Sequence, residues 1–177
     1  MKRTERVISL VMAIVMLFSL TGCHKEIKKI DEDDLTDALE EVLDLERSDD
    51  VTEYADCYNI IAGDNPDRVV TIHGNIIDPV SGDVLIAVIY IINEDEDDSE
   101  ERFAEHYEHV INHSRLKSRD YSGYYCEGEY GYLIIEEDEA YDATYYADDM
   151  YLEVIANSKE RIDEAKDFVR ALGLPVR

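Results

Sequence analysis

The 177-residue chain has no tryptophan, three cysteines, three prolines, eight glycines, and only 17 Lys and Arg against 43 Asp and Glu. Its few glycines form no phosphate-binding loop, and there is no Gly-x-Ser-x-Gly elbow and no Cys-x-x-Cys pair. Nucleotide-loop, serine-hydrolase and dithiol chemistry therefore lack the motifs that carry them. Ser114-Arg115-Leu116-Lys117 matches Ser-x-x-Lys. Without companion Ser-Asp-Asn and Lys-Thr-Gly motifs, that match is chance. The shortage of basic side chains excludes nucleic acid, because affinity for phosphates comes from clustered Lys and Arg. Carboxylates are so numerous that no pair stands out for acid–base work.

Long apolar runs are also missing, with one exception. Val7 to Leu20 is nearly free of polar side chains and follows Lys2, Arg3 and Arg6. It is shorter than the roughly 20 residues a membrane-spanning helix needs. Charge first, apolar core second and an early polar exit is the order of a cleaved secretory signal. The exit, Leu20-Thr21-Gly22-Cys23, resembles the lipobox of bacterial lipoproteins. That resemblance covers about the first 23 residues, and it implies cleavage before Cys23 and a diacylglyceryl group on its sulfur. Residues 1–22 are then a signal peptide, 23–30 a lipid anchor with a short basic tether (Lys25, Lys28, Lys29), and 31–177 a single acidic domain.

The mature chain would carry 14 basic and 42 acidic side chains, a formal charge of −28. Anionic headgroups repel such a body, so its partner at the bilayer is lipid reached through acylated Cys23. The expected location is the extracytoplasmic face of a cell membrane.

Periodicity predicts an α+β fold of two layers, an antiparallel β-sheet with packed helices in the order α-β-β-α-β-β-β-α. Helices are expected over Asp31 to Arg47, over about Asp98 to Arg115 with Asp98 and Glu101 as a capping box, and after Asn157. The last is capped by Asn157 with Glu160 and stopped by Gly173 and Pro175. Val51 to Asp67 is ambiguous between strand and helix, with Gly63, Asn65 and Pro66 marking a turn. Val69 to Ile77 and Asp83 to Ile92 read as a hairpin, and the uncharged run Val84 to Ile92 fits a central strand covered on both faces. Tyr121 to Glu127, Gly131 to Glu137, Asp142 to Ala147 and Met150 to Ala156 are further strand candidates. Ile91-Ile92-Asn93 is echoed by Ile155-Ala156-Asn157, each ahead of a helix.

Four side-chain groups are candidate sites. His106, His109 and His113 share a helical face, where imidazoles can ligate a transition metal, although the helix wheel turns them toward solvent. Cys57 and Cys126 can form a disulfide in an oxidising compartment. Nine of the 13 tyrosines fall between Tyr121 and Tyr151, and Tyr124, Tyr130, Tyr132 and Tyr145 are candidates for a binding surface. The acid runs Asp31 to Asp34, Glu94 to Asp98 and Glu136 to Glu139 suggest calcium, yet an EF-hand loop begun at Asn93 puts Asp98 at the glycine position and Ala104 at the bidentate glutamate.

The leading expectation is a non-catalytic domain that binds an envelope protein or ligand, with no cofactor. A divalent-cation sensor and a small envelope hydrolase with an unrecognised site are the alternatives.

Overall fold

The computed structural model describes residues 26–49, 56–62, 67–113 and 120–177, for all but the side chain of His113. The signal segment, Cys23, and the turn residues Gly63, Asn65 and Pro66 lie outside the described residues. The chain runs α1 (Glu32–Glu41), β1 (Glu46–Arg47), β2 (Cys57–Ala62), β3 (Arg68–Ile77), β4 (Val84–Asn93), α2 (Glu96–His113), β5 (Tyr121–Cys126), β6 (Tyr130–Glu136), β7 (Tyr141–Ala147), β8 (Met150–Ala156), and a 3-10 turn (Lys159–Arg161) leading into α3 (Ile162–Ala171). The fold is α+β, a sheet packed against helices. The expected element order undercounts the strands, since four precede α2 and four follow it. No described helix is long and apolar enough to cross a membrane.

The eight strands form one sheet in the order β1-β2-β3-β4-β8-β7-β6-β5. Every pairing is antiparallel except β1 with β2, which is parallel. The seam between the two halves is β4 against β8, where Ile86 faces Ala156 and Ile92 faces Met150. Here the sequence echo acquires a structural meaning. Asn93 N–H donates to the Asp149 carbonyl at one end of the seam, and Asn157 N–H to the Leu85 carbonyl at the other.

Strand alternation sorts side chains between two faces. On the first, Ile86, Val88 and Tyr90 of β4 and Leu152 and Val154 of β8 meet Leu35 and Leu39 of α1 and Ala165, Phe168 and Val169 of α3. This is the main core, held between the sheet and a layer of two helices. On the second face α2 packs down, through Phe103 and Val110, onto Ile91, Leu133, Tyr146 and Tyr151. β4 is thus central and covered on both sides, as its uncharged run predicts.

Glycine permits both contacts. A Cβ on Gly131 would stand 2.5 Å from the Phe103 ring and 2.7 Å from the Tyr146 ring, while one on Gly74 would crowd the methyl ends of Leu39 and Leu45, at 3.0 and 3.2 Å, with Tyr58 Cβ at an ordinary 3.7 Å.

Several boundaries depart from expectation. α1 stops at Glu41 rather than Arg47 because Asp44 takes a left-handed φ of 54° and the chain turns so that both Leu43 and Leu45 are buried. α2 starts at Glu96, ahead of Asp98, and the Asp95 carboxylate accepts from the Asp97 N–H. Asn157 does not cap the last helix. Its amide donates to the Val84 carbonyl and ties β8 back to β4, while the Ser158 carbonyl accepts from Arg161. Gly173 does end α3, at a φ of 72°.

The segment 23–30 expected as anchor and tether overlaps the folded domain. Ile27 and Ile30 are buried, the Ile30 carbonyl accepts from the Tyr90 hydroxyl, and Lys29 pairs with Asp149 at 2.7 Å. Residues 26–30 therefore belong to the domain.

Candidate functional site

The second face of the sheet carries a polar seam beside α2. Cross-strand register places Asn59, His73, Ile89, Glu153 and Thr144 in one row from β2 to β7, with Asp142 diagonal to Glu153. Asp142 and Thr144 alternate with Ala143 and Tyr145, which enter the main core, so their own side chains must turn toward α2. The Thr144 hydroxyl lies 3.4 Å from the Asp142 carboxylate. Burial, then the neighbouring Glu153 carboxylate, lifts Asp142 to about 6, opposed by His106 and by the Thr144 hydroxyl. A carboxyl poised near neutrality beside an imidazole can take up or release a proton.

His106 comes from the helix above. It sits three residues after Phe103 and four before Val110, within the stripe α2 buries, and its Nε2 is buried with no hydrogen-bond partner among the described residues. This corrects the solvent-facing expectation for that residue. His109, in contrast, is exposed, and the side chain of His113 lies outside the described residues. Among the described residues no three His, Cys, Asp or Glu side chains gather as a metal site.

Tyr124, Tyr130 and Tyr132 form a half-buried ledge at the β5–β6 end of the first face, with ring centroids 5.3 Å apart for Tyr124–Tyr130 and 6.4 Å for Tyr124–Tyr132. Contact with Cys126 and partial burial push Tyr124 up to about 12, so its phenol stays protonated and can donate. Tyr145 does not join them. It is fully buried, and its hydroxyl donates to the Pro175 carbonyl at 2.6 Å. Beside the ledge lies an open groove of about 890 Å³ between Glu26–Lys29 and Gly128–Tyr130.

Cys57, buried on β2, and Cys126, half-buried on β5, are not joined by a disulfide. Six strand spacings separate β2 from β5, roughly 29 Å at 4.8 Å each, far beyond the reach of a disulfide. The bridge considered from sequence is therefore not formed within one chain.

The polar seam itself was missed from sequence. Its signal is Glu153, the one charge inside Met150–Ala156, together with the acid of Asp142 next to apolar Ala143. No protein-family model matches the chain, and neither the curated proteins nor the solved structures contain a match.

Proposed function

We propose that the chain is a lipid-anchored extracytoplasmic protein whose domain binds a partner at the cell envelope and does not catalyse a reaction. The observation that carries this reading is where the domain begins. Ile27 is already core, so lipid on Cys23 would hold the domain within three residues of Glu26, at most about 11 Å of chain. Such a domain works beside the bilayer. The end that would face it holds Lys28, the groove beside Tyr130, and the Gly128 turn. Lys29 is engaged by Asp149, which leaves attachment to the acyl chains rather than to headgroup contacts.

The binding role is supported by the exposed portion of the tyrosine ledge, large rigid rings with polar tips.

Fractionation of cells expressing the full chain tests the anchor. Wild type is expected in the membrane with a diacylated N-terminal cysteine by mass spectrometry, and Cys23→Ala is expected unprocessed or released. Unchanged processing and retention of the variant would overturn the reading.

A further inference from the structure

The two edges of the sheet are built differently. β1 is two residues long, and both, Glu46 and Arg47, are charged and exposed. Short charged edges repel strand addition. β5 is six residues, Tyr-Ser-Gly-Tyr-Tyr-Cys, with no charge, no proline and no register shift in its pairing to β6.

Its open side can be identified from the ladder. Asp120 and Glu136 stand opposite each other, and the Asp120 carbonyl accepts from Glu136 N–H, so even-numbered residues bond inward to β6. Antiparallel pairing alternates. Tyr121, Gly123 and Tyr125 therefore turn their N–H and C=O groups outward, and no described strand pairs with that side.

The geometry points to β5 as a docking edge for an extended segment of a protein partner, added as a ninth strand and carrying Lys or Arg at the end that lies by the β5–β6 turn. The inference rests on the binding role proposed above and names its partner chemistry. Backbone groups of Tyr121, Gly123 and Tyr125 supply the ladder, and Tyr124 on one face and Tyr121 and Tyr125 on the other flank the incoming side chains. Charge sets the polarity of the partner. The turn end bears exposed Glu127 and Glu129, with Glu96, Asp97, Glu100 and Asp148 beside them against Lys28 and the Asp149-paired Lys29. At the far end, by contrast, five carboxylates, Asp120 and Asp138 among them, share a groove with three cations, Lys159, Lys166 and Arg177, which offset most of their charge.

A second copy of this chain is a poorer occupant. It brings the same excess of acids, and antiparallel pairing about Gly123 would send its N-terminal end to the opposite end of the joined sheet, away from the bilayer that holds the first.

Selection of short random displayed peptides on the full chain in detergent micelles, followed by amide exchange measured by NMR, tests the proposal. Peptides with a basic cluster at one end are expected. Bound, they slow exchange at Tyr121, Gly123 and Tyr125 and leave Ser122 and Tyr124 unchanged. Replacing the basic cluster by Glu weakens binding about tenfold or more, and N-methylating the peptide backbone on alternate residues abolishes the protection. These peptide changes leave the protein intact, so misfolding cannot produce the result. Selection of nothing, binding that leaves the three amides unprotected, or no preference for basic ends would overturn the proposal. So would protection in the chain alone that rises with its concentration, which would assign the edge to a second copy. Loss of the lipid anchor leaves this experiment untouched, so the two readings fail separately.

Discussion

The two faces of one sheet solve the same packing problem with different materials. The face under α1 and α3 is mainly aliphatic, continuous from Ile27 to Leu174, and three of its four buried tyrosines place the hydroxyl on an acceptor, Tyr90 on the Ile30 carbonyl, Tyr145 on the Pro175 carbonyl and Tyr58 on the Glu40 carboxylate. The face under α2 is a smaller aromatic cluster, Phe103, Tyr107, Tyr125 and Tyr146, bordered by the seam of Asp142, Glu153 and His106. Aliphatic side chains can shift a methyl group to relieve crowding, whereas a ring held against another ring cannot. The contrast teaches that the first face can yield to crowding and the second cannot.

The sharpest way to break the comparison is a methyl group on each side. Gly131→Ala would drive a Cβ into two rings and is expected to cost about 3 kcal/mol or more, while Gly74→Ala meets flexible leucine ends and is expected to cost about 1 kcal/mol. Urea unfolding of both variants measures this. Equal costs would remove the distinction between rigid and yielding faces.

Titration sharpens it next. Asp142 is raised in the folded state above its unfolded value of 3.8, so its ionisation opposes folding, and the loss of stability develops as pH rises from about 4 through about 6. Asp142→Asn is therefore expected to stabilise the domain at pH 8, by about 1–2 kcal/mol, and to change little at pH 4. Melting temperatures at the two pH values give the answer, and a pH-independent difference would mean that the carboxyl is not buried beside Glu153.

The smallest effect belongs to the first face. Lys29→Ala removes a half-exposed ion pair with Asp149 and should cost less than about 1 kcal/mol. A larger loss would show that residues 26–30 are clamped by that pair rather than by Ile27 and Ile30.

What could be seen in the sequence was whatever depends on neighbours along the chain. The uncharged Val84 to Ile92 marked the central strand, and Ile162, Ala165, Phe168 and Val169 with Gly173 marked α3 and its end. What stayed hidden depends on strand order. Asn59, His73, Glu153 and Thr144 come from four strands, and only the register puts them in a row. His106 was misplaced because a helix wheel gives angles but not the width of the stripe that the sheet covers. The cysteine pair was misjudged for the same reason, since loop length carries no information on how many strands lie between two residues.

The β4–β8 seam also sets a timetable. A chain crossing a membrane N-terminus first delivers β1 to β4 well before β8, and Ile86 must wait for Ala156, and Ile92 for Met150, before their strand is paired on its second side. During that interval the most apolar strand of the protein is a temporary sheet edge. Pairings so distant in sequence close slowly. If the chain is secreted as proposed, its first half would leave the translocation channel in its most adhesive form, and its safe arrival would depend on how soon the second half follows.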